Sequence, residues 1–173
     1  PTFLARLRTL LQAHPTVERG ALEIEVLESS ALADLEHIAQ LMRECADIGV
    51  SFALDDFGTG YSSLLYLKHL PANTLKIDQN FVRHLLDDTD NLSILDGILA
   101  LARSFGRTTV AEGVETIAQG TALLQLGCEF GQGYGIARPM PAEEMPAWAA
   151  SWRPDPSWVN VTTVSRHDLP LLH

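Results

Sequence analysis

Asp55 and Asp56 stand side by side at the end of an apolar run, Val50 to Leu54. Phe57-Gly58-Thr59-Gly60-Tyr61-Ser62-Ser63 follows before the chain turns apolar again at Leu64. This is the pattern of a strand running into a functional loop. Neighbouring side chains on a strand point to opposite faces, so the two carboxylates converge on one centre only if the backbone leaves the strand between them. Gly58 and Gly60 permit that bend. Adjacent aspartates repel unless a cation lies between them, and hard divalent cations prefer oxygen ligands. A Mg2+ or Mn2+ site is one reading; a solvated Asp-Gly turn is the other.

Other segments end in the same manner. Leu22, Ile24 and Val26 alternate with Glu23, Glu25 and Leu27, giving a strand with one aliphatic face and two acids on the other. If both faces are covered, as in parallel α/β sheets, those acids need a metal or a cationic partner. Thr74 to Asp78 carries Leu75 and Ile77 on one face and Lys76 on the other. Such a lysine either snorkels to the surface or, at the same strand end as Asp55, is a functional cation. Thr108 to Glu112 again reaches acids at a glycine turn, Gly113, and Cys128 to Gln132 leads into Gly133-Tyr134-Gly135.

These segments must be positioned by helices. Amphipathic spacing predicts helices over Thr2–Ala13, Leu32–Ile48, Ser62–His69, a stretch from Asp90 as N-cap to Phe105, Thr116–Leu126 and Ala142–Trp152. Five strand-helix units with polar strand ends predict a (β/α) barrel, whose site lies at the C-terminal mouth of the strands. Glu25, Asp55, Asp56, Lys76, Glu112 and Gln132 would meet there. Five units do not close a barrel of eight, and the chain opens on a helix, so the expectation is an incomplete TIM-like barrel over residues 1–152 with a tail over 153–173. Its open edges at Leu22–Glu28 and Cys128–Gln132 predict a homodimer or other self-association.

The composition narrows the function. With 173 residues and 46% hydrophobic content, a single packed domain is expected. A net charge of -10 argues against general binding to DNA, RNA or an anionic membrane. No run of about 18 apolar residues occurs and no signal sequence is visible, so a cytoplasmic location is expected. Cys45 and Cys128 are too few and too far apart for a disulfide framework or zinc cluster, which predicts reduced, buried thiols. No Gly-x-Gly-x-x-Gly or Gly-Lys-Ser/Thr phosphate loop is present.

Taken together, five segments resemble the EAL domain, the bacterial module that hydrolyses cyclic di-GMP: Glu25-Val26-Leu27-Glu28, Asp55 through Leu64, Leu75-Lys76-Ile77-Asp78, Ala111 through Thr116, and Gln132-Gly133-Tyr134 with Arg138-Pro139. The resemblance implies that Glu25 is a metal ligand, that Asp55 is shared between two metal ions and that Asp56 serves mainly the second. It implies that Lys76 orients or activates the attacking water, that Glu112 joins the metal and water network, and that Gln132 supports it. Glu28 resembles the acid anchoring the loop that contains Gly58, Thr59, Gly60 and Tyr61. Two cations about 3.5 to 4 Å apart would clamp the attacking and leaving oxygens of one phosphodiester, giving linear pGpG.

The departures bear on activity. Leu27 stands where the family usually has threonine and Glu129 where aspartate is common. The resemblance also implies a Glu-Ala-Leu strand and a strand with a metal-binding asparagine, both upstream of the first helix here. The chain is therefore expected to be inactive alone, as part of a metal-dependent phosphodiesterase. The alternative is a non-catalytic EAL-like module that binds cyclic di-GMP or a protein partner. Retention of Asp55, Asp56, Lys76, Glu112 and Gln132 favours the enzyme.

Overall fold

The computed structural model describes residues 2–27, 34–59, 63–164 and 169. Glu28, Gly60, Tyr61 and Ser62 of the expected loop and its anchor, and Leu32 at an expected helix start, lie outside the described residues. The fold is α/β, with five parallel strands alternating with helices. The chain divides into two compact units. The first runs through Lys76 and includes Ala102–Thr108; the second comprises Ile77–Leu101 and the chain from Thr109 onward.

In the first unit, α1 (Phe3–Ala13) is capped by Thr2, whose hydroxyl accepts from the Ala5 amide, and buries Leu7 while Arg6 and Arg8 stay exposed. Strand β1 (Leu22–Leu27) alternates half-buried aliphatics with exposed Glu23 and Glu25. Helix α2 (Leu35–Asp47) begins at Asp34, whose carboxylate accepts from the His37 amide at 3.1 Å, the usual rescue of an orphan helix N–H. At its other end the Arg19 guanidinium donates to the Asp47 carbonyl at 3.0 Å. Gly49, at φ 89°, then turns the chain into β2 (Val50–Phe57).

Strand β2 is the centre of this unit. It pairs with β1 in parallel, from Leu22↔Val50 to Leu27↔Asp55, and has β3 (Thr74–Ile77) on its other side. Met42 and Cys45 of α2 are buried, as are Val50, Phe52 and Leu54 of the strand on which that helix packs. Each such apolar side chain removed from water contributes about 1.5–3 kcal/mol. All four residues of β3 are buried, so both of its faces are covered. Helix α3 (Ser63–His69) precedes it.

The second unit holds one helix that the sequence does not announce. Asp78, expected to end β3, instead caps α4 (Gln79–Arg83) by accepting from the Asn80 amide at 2.9 Å. Helix α5 (Thr89–Ser104) follows, and its start also differs from expectation. Asp88, not Asp90, accepts from the Asp90 and Asn91 amides at 2.8 and 3.2 Å. Asp90 lies inside the first turn, where its charge suits the helix dipole.

Strand β4 (Thr108–Glu112) pairs in parallel with β5 (Phe130–Gln132), placing Glu112 opposite Gln132. The latter strand is shorter than expected, starting at Phe130 and not at Cys128, which is buried. Its thiol donates to the Phe130 carbonyl at 3.4 Å and accepts from the Thr109 hydroxyl at 3.5 Å. Helix α6 (Ile117–Gln125) opens with a complete capping box between Thr116 and Gln119. After α7 (Met145–Ser151), the chain makes a 3-10 turn at Pro156–Trp158 that packs on α6. The Trp158 indole N–H donates to the Ile117 carbonyl at 3.0 Å, and its ring lies 2.5 Å from where a Cβ on Gly120 would stand. Only glycine admits the ring there.

Candidate active site

Lys76 is the best-defined site residue of the first unit. Parallel strands present alternate side chains to one face, and Glu25 on β1, Ala53 on β2 and Lys76 on β3 share it: Glu25 is in register with Ala53. The Lys76 ammonium lies 2.8 Å from Glu25 Oε1 and 3.1 Å from Asp55 Oδ1, with its side chain 9% exposed. Of the two sequence readings of this lysine, the surface one does not fit its burial. An ammonium held so far from water requires acids around it, and the strand ends supply two. Glu23, the other acid on β1, finds a different partner: the Thr74 hydroxyl donates to its Oε2 at 2.7 Å.

Regular strand geometry breaks at Asp56. The backbone was expected to leave the strand between the two acids, and Asp56 has φ 54°, although β2 continues to Phe57. A left-handed residue other than glycine is uncommon, though aspartate tolerates it better than most. Gly58 is also left-handed, at φ 103°, and Thr59 bonds back to the Asp56 carbonyl through its hydroxyl at 2.9 Å. The loop therefore starts one residue inside the acidic pair.

The acids suit a hard cation. Asp55 Oδ1 is buried and, apart from the ammonium contact, accepts no aligned hydrogen bond; among the described residues only Arg107 Nε is also a buried side-chain polar atom without one. An anionic oxygen withdrawn from water calls for a cation beside it, here the Lys76 ammonium, and is of the type that hard metal ions prefer. Asp55 and Asp56 are acids that could bind one.

In the second unit, Glu112 accepts from the Gln132 amide at 2.6 Å, so the strand register brings these two expected site residues together. They line a groove of about 880 Å³ with Arg83, Tyr134, Arg138 and Trp148. The Arg138 guanidinium stands 4.9 Å from the centre of the Tyr134 ring, a cation–π arrangement. Two arginines in a groove that also offers aromatic faces can receive an anionic, planar ligand. Arg83 was missed from the sequence, because α4 is too short to leave a periodic signal.

The sequence model of the EAL domain matches residues 1–139. The chain belongs to the EAL domain family. It is 46% identical over 144 residues, 83% of its own length, to the bifunctional diguanylate cyclase/cyclic di-GMP phosphodiesterase MucR of Pseudomonas aeruginosa. It is 37% identical over 134 residues, 78% of its length, to the cyclic di-GMP phosphodiesterase NbdA of the same organism. These matches span 21% and 17% of the two relatives, so the chain corresponds to about a fifth of each.

Solved structures agree. The MucR phosphodiesterase in complex with c-di-GMP superposes with a TM-score of 0.77 at 45% identity, covering 82% of this chain and 57% of that one. The EAL domain of Mycobacterium smegmatis DcpA gives a TM-score of 0.80 at 38% identity, covering 86% and 66%. The EAL family is metal-dependent, which accords with the carboxylates described above. Among the described residues no helix is long and apolar enough to cross a membrane.

Proposed function

We propose that the protein is a cyclic di-GMP phosphodiesterase that opens one phosphodiester to give linear pGpG at a cytoplasmic site. The observation that carries this reading is the buried Lys76 ammonium held by Glu25 and Asp55. In this reading Glu25, Asp55 and Asp56 hold Mg2+ or Mn2+, Glu112 joins the network, and Gln132 orients the Glu112 carboxylate through its amide. Bound cations would lower the pKa of the attacking water and neutralise charge on the phosphate. Lys76, with its stem fixed in β3 and its charge compensated, donates a hydrogen bond to the incoming water and so fixes its direction of attack. The Phe57–Thr59 turn, with Gly60 and Tyr61 beyond it and Glu28 as its anchor, completes the mouth of the site.

The groove with Arg83 and Arg138 offers guanidinium groups to the nucleotide phosphates and Tyr134 a face to a base. Incubating the complete EAL domain that contains this chain with cyclic di-GMP and Mg2+ or Mn2+, and separating products by chromatography, tests the proposal. Appearance of pGpG that stops on chelation is expected. Tight binding without any turnover would instead identify a non-catalytic nucleotide-binding module.

A further inference from the structure

Gln119 lies away from the acids, yet it is a buried polar side chain, 7% exposed, with every part of its amide engaged. Its Oε1 accepts from the Glu115 and Thr116 amides at 2.9 and 3.0 Å, and its Nε2 donates to the Arg83 carbonyl at 3.4 Å. The Thr116 bond belongs to the capping box of α6, and the Glu115 bond extends it by one residue. The third leaves that helix and reaches α4. One planar amide thus ties the end of α4 to the segment that follows Glu112.

Both tied segments line the groove, through Arg83 and through Glu112, Gly113 and Glu115. The segment between them has little freedom of its own. The Val114 amide donates to the Gln132 carbonyl at 3.0 Å, and the Val114 carbonyl accepts from the Gly135 amide at 2.8 Å. At Gly113 a Cβ would stand 2.7 Å from the Gln79 side chain. The loop is therefore fixed to β5 on one side and packed against α4 on the other. The Gln119–Arg83 bond is the contact that sets where the end of α4, and with it the arginine, meets this loop.

We propose that Gln119 is a positioning residue for this anion-binding groove: it holds the Arg83 backbone against the Glu115–Thr116 segment so that the guanidinium is aimed at a phosphate of the ligand. The proposal rests on the cyclic dinucleotide reading given above for the identity of that ligand. Only a side chain that both accepts and donates can perform the task. Glutamate at this position keeps the acceptor for the two amides but turns an anionic oxygen toward the Arg83 carbonyl. Alanine removes both functions and leaves two amides without partners.

The test is Gln119→Glu, compared with wild type in two measurements. In the unliganded protein, the carbonyl carbon resonance of Arg83 is expected to move, while the Glu115 and Thr116 amides and the melting temperature stay close to wild type. In calorimetric titration with cyclic di-GMP, affinity is expected to fall about threefold to tenfold, the worth of one hydrogen bond. Gln119→Ala is expected to lower the melting temperature as well, and should it fail to fold, Gln119→Glu still decides. An unmoved Arg83 resonance overturns the positioning role whatever the ligand. A moved resonance with unchanged cyclic di-GMP affinity overturns the claim that the position matters for binding. Wild-type protein that binds no cyclic di-GMP removes the functional reading alone, since the resonance is read without ligand.

Discussion

The ammonium of Lys76 meets Oε1 of Glu25 at 2.8 Å although a whole strand, β2, lies between their backbones. The contact passes over Ala53, which is fully buried and in register with Glu25. A methyl group at that point leaves room for the lysine stem. Ala53→Leu is expected to separate the pair, lower stability by about 1–3 kcal/mol through overpacking, and abolish turnover. Ala53→Gly is expected to keep the pair and most of the activity. Urea unfolding and pGpG formation, measured side by side, check both.

Removing the lysine separates chemistry from binding. In the complete domain, Lys76→Ala is expected to lower the hydrolysis rate by about a hundredfold to ten-thousandfold, the range of general acid–base groups, while cyclic di-GMP affinity changes little. An affinity loss as large as the rate loss would show that the ammonium merely holds a phosphate. Single-turnover rates and calorimetric Kd values distinguish the outcomes.

Metal binding can be read without catalysis. At a concentration about a hundred times its Kd, a cation that binds only the folded state adds about 2.7 kcal/mol of stability. Mg2+ or Mn2+ is expected to raise the melting temperature of wild type, with the shift lost in Asp55→Asn and reversed in wild type by chelation. An equal shift in Asp55→Asn would remove this aspartate from the metal set.

The start of α5 gives a pH-dependent expectation. Hydrogen bonds from the Asn91 and Asp90 amides hold the Asp88 carboxyl below its ordinary value of 3.8. A folded pKa below the unfolded one means that this contribution is complete above the unfolded value and fades as pH falls through the folded one. Asp88→Asn keeps an acceptor that does not titrate. The melting temperatures of the two proteins are therefore expected to diverge in slope only below about pH 4.

Burial pushes the thiols of Cys45 and Cys128 up, in Cys128 against the opposing hydrogen bond from Thr109. Both are buried and unpaired in disulfides. Alkylation at neutral pH is expected to be slow in native protein and fast in denaturant. Rapid labelling of the native state would show that one of them is accessible.

The strands and long helices were legible because burial imposes periods that the residues record, as Leu22, Ile24 and Val26 do on β1. Lys76 was legible only as a choice between two fates, since a sequence does not state what covers the far face of a strand. The departure of the backbone between Asp55 and Asp56 was legible, but not that Asp56 itself takes the left-handed φ, which is set by the loop it enters. Asp78 and Asp88 show the same limit for caps. Asp87, Asp88 and Asp90 cluster at the start of α5, and only the geometry selects the one that accepts the amides, while Asp78 reads as a strand end because α4 is too short to leave a periodic signal. Gln119 looked like one more polar residue on a helix, because its partner on α4 is distant in sequence.

Trp158 has a practical consequence for anyone trimming the gene. The family match ends at residue 139, and a cut there would look safe on an alignment. It would strip the indole from Gly120, remove a donor from the Ile117 carbonyl, and take away Val164, whose amide bonds the Gln125 carbonyl at 2.8 Å. The boundary at which this polypeptide can be shortened is therefore set by a tryptophan outside the family's own limits, and expression of shorter versions should be judged by solubility before activity.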